Sequence, residues 1–475
     1  MNFNRRRFGK RLGLFGASTV AGATYSSHRC AQAVCQAAGQ AEETPSSGSL
    51  RFELPRGRVP LSFIIDDSTC LVNMGKFCMP QFAATYPQRK DYQRPWQSWP
   101  DEIPDAFVRE FGEWCAEYGV KGKYSIVPYP ACVGWLDRVV PGWSRKQLKE
   151  SLRLVRDLMT PNWDIHPEMI THTRVIDLKT GRPFADFSPR HMENSYPQED
   201  VSVDYLADYL AYALRILKNC DLPCEGVTTP GGFGNQVKDK LPQAVFEAVR
   251  DVFAVEVPHY FKYVVSGDES TVPKIEYREP GGASSKVLPE FVVNVPAGTG
   301  DWFGGWDGSL ESSAEKYSDR DATTGRMVEL IERGEPAVML CHWPGMYCNG
   351  SKSGFRAFQR VVKSLHDRFD SETLWMKVSE IAHYWAAREC CSVATGVGMY
   401  RLSSPLACSD YTVSFEGLWD SVEAEHVRGA SSPERLTLQR TAGREDLRAG
   451  RFCHSGDRTW VCLDLQAGTT VLRQV

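Results

Sequence analysis

The chain has 475 residues and a mass of 53.3 kDa, too long for one ordinary domain and suited to a large α/β unit plus a smaller module. Hydrophobic residues make up 42% and charged residues 24%, which excludes disorder or coiled coil as a description of the whole chain. The net charge of -4 lacks the basic surplus that nucleic-acid binding requires.

The first segment reads as an address. Asn4-Arg5-Arg6-Arg7-Phe8-Gly9-Lys10 carries paired arginines, followed by a small-residue apolar stretch from Leu12 to Ala23 that is too short to span a bilayer. Ala31-Gln32-Ala33 and Gly39-Gln40-Ala41 offer cleavage points. This pattern resembles a bacterial twin-arginine export signal over residues 1–41, which implies a periplasmic or extracellular mature chain. No later segment reaches 18 apolar residues, so the mature chain is expected to be soluble, without an integral membrane segment. Thirteen cysteines remain after such cleavage, without zinc-finger spacing. Most sit in apolar contexts and read as small core residues, with a bridge or two open.

Residues 42–57 read as a linker. Strand and helix signals then alternate: strands at 61–65, 123–127, 168–172, 226–229, 252–257, 291–295 and 337–341, and helices at 106–118, 145–159, 203–217, 241–249, 322–333, 354–369 and 374–388. That order predicts an α/β protein with a parallel sheet or barrel over 58–389, its reactive groups at the C-terminal strand ends. From 390 to 475 the helical signal stops. Short runs such as Thr412–Phe415 and Trp460–Asp464 predict a small all-β module.

Several strand ends carry chemistry. Asp66 and Asp67 follow an apolar run, and two carboxylates beside a buried sheet need a cation or a shared proton. His172 ends the stretch Glu168-Met-Ile-Thr-His172, and His342 ends Val338-Met-Leu-Cys-His342. Converging on one mouth, these groups form a metal-and-base site. Thr229-Pro-Gly-Gly-Phe-Gly234 is a glycine-rich loop that allows a close backbone approach or forms a plain turn, with Phe233 a candidate for substrate contact. Trp302, Phe303 and Trp306 lie in the Gly-rich loop 300–308, and Trp343 directly follows His342. Aromatic rings on such a loop make sugar platforms, and Trp302, Trp306 and Trp343 are the expected binding wall.

The ordered set Asp66-Asp67, Glu168 to Thr173, Pro230 to Gly234 and Leu340-Cys-His342 resembles the polysaccharide deacetylase (NodB-homology) superfamily. The resemblance implies a distorted (β/α)7 barrel of the deacetylase type, with the all-β C-terminal module appended. It implies Asp66 as general base, Asp67 and His172 as ligands of a divalent metal, zinc by its Asp/His donors, and His342 as general acid. The family's second metal histidine falls on Ile176 here, and its motif arginine on Thr229. Asp177, His191 and Glu193 are therefore candidates for a third ligand, while His166 sits too far along an extended chain. The expected function is an exported, metal-dependent hydrolase removing acetyl groups from a carbohydrate polymer. The rival readings are a glycosidase pairing Asp66 or Asp67 with Asp301 or Asp307, and a non-catalytic glycan-binding protein.

Overall fold

A strand covered on both faces reads as a continuous apolar run, and Val59–Asp66 is buried along its whole length. The computed structural model describes residues 50–278, 290–427 and 434–475. The export signal read over 1–41, and the start of the linker, lie outside these residues. Val59–Asp66 lies in a parallel sheet between Ala337–His342 and Gly122–Ile126, with Trp163–Pro167 beyond the latter. Thr373–Trp375 pairs parallel with the start of Val59–Asp66. A second sheet holds Gly226–Thr228, His259–Phe261 and Phe291–Asn294 in parallel, with Lys274–Arg278 antiparallel at its edge. Single contacts join the two sheets at both ends: Glu168 bridges Thr228, and the Gly298 N–H donates to the Val338 carbonyl. Among the described residues the ladders form two mainly parallel sheets joined by these single contacts, and the fold is mixed α/β.

Strand alternation divides the side chains. The outward residues Phe63, Ile65, Tyr124, Trp163 and Ile165 pack in one core with apolar residues of the helices Asp105–Glu117, Val203–Asn219 and Ser353–Phe369. Local signals start other helices: Ser144 forms a capping box with Gln147, and Ser202 accepts from the Tyr205 N–H. The inward positions are partly polar. Ser62, Asp66, Lys123, Ser125, Asp164 and His166 are all buried there.

Four expected elements differ, one of them the helix expected at 322–333, which is only Arg326–Glu332. The stretch 168–172 is not a strand, because the strand ends at Pro167 and the backbone N–H groups of the next turn are taken by a side chain instead. The strand expected at 252–257 falls at His259–Phe261, since helix Leu241–Phe253 runs on and closes with Ala254 in the left-handed region. The helix expected at 374–388 is a short strand, Thr373–Trp375, followed by helix Val378–Cys390, with Ser379 anchored on Asp164.

The C-terminal region forms two five-stranded sheets. Val413, Phe415, Leu402, Val461 and Leu472 bury their side chains in a core shared with helix Val378–Cys390. Arg51–Phe52 pairs antiparallel with Ser414 and Val413, so the described end of the stretch read as a linker is a strand of this β region. Among the described residues the cysteines other than Cys390 form no disulfide, and no helix is long and apolar enough to cross a membrane.

Candidate functional site

Asp66 is the last residue of its strand and points inward. The next side chain of an extended strand would point outward. Asp67 instead has φ 60, a left-handed conformation that Asp tolerates better than most residues. Its N–H donates to Glu168 Oε2 at 2.7 Å. Glu168 follows Trp163–Pro167 in phase with Asp164 and His166, so it too faces inward. His172, at φ 63, closes the loop. Buried Glu193 holds that loop by accepting the N–H groups of Ile170, Thr171 and His172 and the Tyr209 hydroxyl. The result places His172 Nε2 2.7 Å from Asp67 Oδ1 and His172 Nδ1 3.4 Å from Glu168 Oε1. Donor atoms of Asp67, Glu168 and His172 all lie within 4.8 Å of one another.

Two further pairs flank this cluster. Asp66 Oδ1 accepts from the Lys123 ammonium and, at 3.2 Å, from Ser125 Oγ. Lys123 is fully buried, so its charge needs this partner. On the neighbouring strand His342 is the register partner of Asp66. Its Nδ1 lies 2.8 Å from Asp301 Oδ2, which also accepts the His342 N–H at 3.1 Å.

The charges respond to one another. Burial would raise the Asp67 carboxyl, but His172, His342 and Lys123 hold it below the usual carboxylate range. Burial, with the neighbouring Asp66 charge, pushes Glu168 up to about 8. Burial opposes the charged form of His172, yet Asp67 and Glu168 raise it to about 9. Burial likewise opposes His342, and the Asp301 hydrogen bond followed by the Asp67 charge raises it to about 10.

The donor set fits a divalent transition metal. Asp67 Oδ1 and His172 Nδ1 are buried and have only each other's residues and Glu168 as polar neighbours, at 2.7 and 3.4 Å, as atoms of a ligand cradle do. Two carboxylates and one imidazole match the three protein ligands of catalytic zinc sites, which keep a further position for water.

The structure brings Asp66, Asp67, His172 and His342 together and changes several other assignments. The third member of the ligand cluster is Glu168, not Asp177, His191 or Glu193. Asp177 caps a turn through the Lys179 N–H and Thr180 hydroxyl. His191 bonds Asp186 and stacks on Phe184, and Glu193 spends its oxygens on the loop. Trp343 is completely buried against Phe107, Phe111 and Tyr124, so it is core. Phe233 is buried as well, against Tyr196 and Tyr209. Trp302 packs half-buried on Tyr317, 5.0 Å between ring centres. Only Trp306, half-buried, stands beside the cluster, 5.8 Å from the His342 ring. Phe82, buried in the apolar cluster that Trp306 also packs against, meets His172 edge-on at 6.0 Å and stacks on Tyr92. Asp301 holds His342, and Asp307 caps the Ser309 N–H.

Sequence reading missed Lys123, the pairing of Asp301 with His342, and Glu168 as a member of the donor cluster. A signal existed for two of them. Lys123 and Ser125 alternate on a buried strand, and Asp164, His166 and Glu168 recur at period two, which puts each set on one face.

No family model matches this chain, and no curated protein matches it by sequence. Solved structures do resemble it at low identity. One is described as a T48 deacetylase with substrate: 9% identity, TM-score 0.28, covering 68% of this chain and 90% of that one. A putative glycoside hydrolase/deacetylase from Parabacteroides distasonis shows 12% identity and TM-score 0.40, over 76% of this chain and 81% of that one. An alpha-fucosidase from Thermotoga maritima in complex with fucose shows 10% identity and TM-score 0.28, over 89% and 97%. Likeness at this level fixes neither substrate nor reaction, which rest on the site itself.

Proposed function

We propose that the protein is an exported, metal-dependent hydrolase that removes acetyl groups from a carbohydrate polymer, on a distorted (β/α)7 barrel of the deacetylase type. The observation that carries this reading is one arrangement. A three-donor cluster, Asp67, Glu168 and His172, sits between a carboxylate paired with lysine and a histidine paired with aspartate.

Asp67, Glu168 and His172 would hold the ion, with zinc the best match to an Asp/Glu/His set. An ion held there would supply Lewis-acid polarisation of an acyl carbonyl and of water at neutral pH. Asp66 takes the proton of the attacking water. Lys123 and Ser125 fix the carboxylate through Oδ1 and leave Oδ2 to accept it. His342 donates a proton to the departing oxygen or nitrogen from Nε2, because Asp301 holds Nδ1. Trp306 and Tyr92, both half-buried, offer ring faces to the sugar.

The glycosidase reading needs a second free carboxylate across the site. Asp301 is engaged with His342 and Asp307 with its own turn, so nothing in the geometry favours it. The test is acetate release from O- and N-acetylated polysaccharides by the purified protein, with and without a chelator and with Asp67→Asn as control. Metal-dependent release supports the reading. Chelator-insensitive cleavage of glycosidic bonds, or no turnover of any acetylated polymer by metal-loaded protein, overturns it.

A further inference from the structure

Deeper between the sheets, a second set of ligand-type side chains converges without any part in the chemistry above. Asp164 and His166 lie on strand Trp163–Pro167, and His259 opens strand His259–Phe261 of the facing sheet. All three are buried, both histidines completely. One donor atom from each lies within 4.8 Å of the others. The imidazoles meet Nε2 to Nε2 at 2.9 Å, and His166 Nδ1 is 3.3 Å from Thr228 Oγ1. Two neutral imidazoles share only one proton between their Nε2 atoms, and the buried Asp164 carboxylate beside them completes a set of three ligand-type donors.

We propose that Asp164, His166 and His259 form an inner binding site for a divalent transition-metal ion of the zinc class, distinct from the Asp67–Glu168–His172 cluster and structural in role. Two imidazoles and one carboxylate select zinc, cobalt or nickel over calcium or magnesium, which take oxygen ligands. Bonds of about 2.0–2.1 Å to each Nε2 fit the observed separation at a nearly right-angled ligand geometry, and parting the rings by about 0.4 Å gives a tetrahedral one. The space is kept by Gly226, where a Cβ would lie 2.8 Å from His166 Nε2. Besides Asp164, the titratable groups acting on the imidazoles are Lys123 at His166 and Glu225 and His383 at His259, and Lys123 is neutralised by Asp66.

The distance between the clusters sets the role. His166 and Glu168 are two residues apart on one face, roughly 6.5–7 Å along an extended chain. Two-metal catalysis needs ions about 3.5–4 Å apart, so the inner ion does not share the substrate. It links elements instead. His166 and His259 come from facing sheets, and Asp164 accepts the Ser379 N–H at 2.6 Å and hydroxyl at 2.7 Å at the start of helix Val378–Cys390.

The full chain tests this through metal content and melting temperature, independently of hydrolase activity. After dialysis against zinc, the unaltered chain is expected to hold two ions. An Asp67→Asn/His172→Gln variant should hold one, and adding His259→Gln should leave none. Chelation should lower the melting temperature of the double variant by several degrees and leave the triple variant unmoved. Should the triple variant not fold, cobalt titration of the double variant decides. Saturation at one equivalent, with the visible absorption of cobalt bound by nitrogen and oxygen, supports the inner site. A folded double variant that binds no zinc or cobalt overturns it, whatever the activity of the unaltered chain.

Discussion

Asp66 and His342 end two neighbouring parallel strands in register, and the residue after each goes a different way. Asp67 joins the site, whereas Trp343 leaves it for the outer core. After His342 the backbone stays extended, φ -115 and ψ 135, and passes into the short helix Trp343–Tyr347. Simple alternation therefore turns Trp343 away from the inward His342. At Asp67 the left-handed φ breaks that alternation, and the bond from its N–H to Glu168 holds the turn. Adjacency in sequence does not place two side chains on one face. A backbone departure paired with a specific acceptor does.

The sharpest way to break the comparison is to change one member of each pair. Asp66→Asn is expected to lower kcat about 10²–10⁴-fold, the usual worth of a positioned base. Metal content should stay unchanged, since Asp66 is outside the ligand cluster. Activity within twofold of the unaltered chain would remove Asp66 from the base role. Trp343→Ala should act on stability alone, by about 3–5 kcal/mol in a denaturant titration, as emptying a buried aromatic site does. A fully stable Trp343→Ala protein with weakened substrate binding would return Trp343 to the cleft wall.

This contrast also marks how far the sequence could be read. Apolar runs and helical periodicity sufficed for most strands and helices, because burial on both faces leaves a strong local pattern, as in Val59–Asp66. The inward acids and histidines at strand ends were legible for the same reason. Glu168 and Glu193 were not separable in sequence, since both are buried glutamates near His172. Which one faces the ring and which one caps the loop depends on backbone turns at Met169 and His172, both at positive φ. Lys123 was hidden by its company, a cation within an otherwise buried strand whose partner is 57 residues earlier. Phe233 and Trp343 misled because an aromatic beside a polar motif reads alike whether it packs inward or outward.

The Asp301–His342 pair gives the next effect in size. The fold raises His342 from an ordinary 6.5 to about 10. A raised histidine adds stability in full below the unfolded value near 6.5, and that contribution is lost as pH climbs through about 10. The same protonated form is the proposed acid, so kcat should hold through neutral pH and fall on the alkaline side. Asp301→Asn removes the leading favourable contact of the imidazolium. It should move the alkaline limb toward neutral pH and lower kcat at pH 8 by about 10–100-fold, within the range of one proton-transfer group. A limb that stays in place while kcat falls would mean that Asp301 only shapes the backbone at His342.

The smallest expected effect falls on Trp306, the one tryptophan of the expected wall that stands at the cluster. Its ring rests on backbone at two glycines, since a Cβ at Gly75 or Gly345 would approach it at 3.2 Å. One side is therefore packed and the other meets the His342 ring at 5.8 Å. Half-burial of this kind divides the loss on truncation between stability and binding. Trp306→Ala should lower stability by about 1 kcal/mol, well short of a core truncation. It should also raise KM several-fold with kcat nearly unchanged, because a stacking contact holds bound sugar and transition state alike. Trp306→Phe should recover most of the KM, since a flat ring remains to stack. If the Phe variant recovers stability but leaves KM raised, the ring is a packing element that shapes the loop, and the sugar must stack elsewhere, with half-buried Tyr92 the next ring to test.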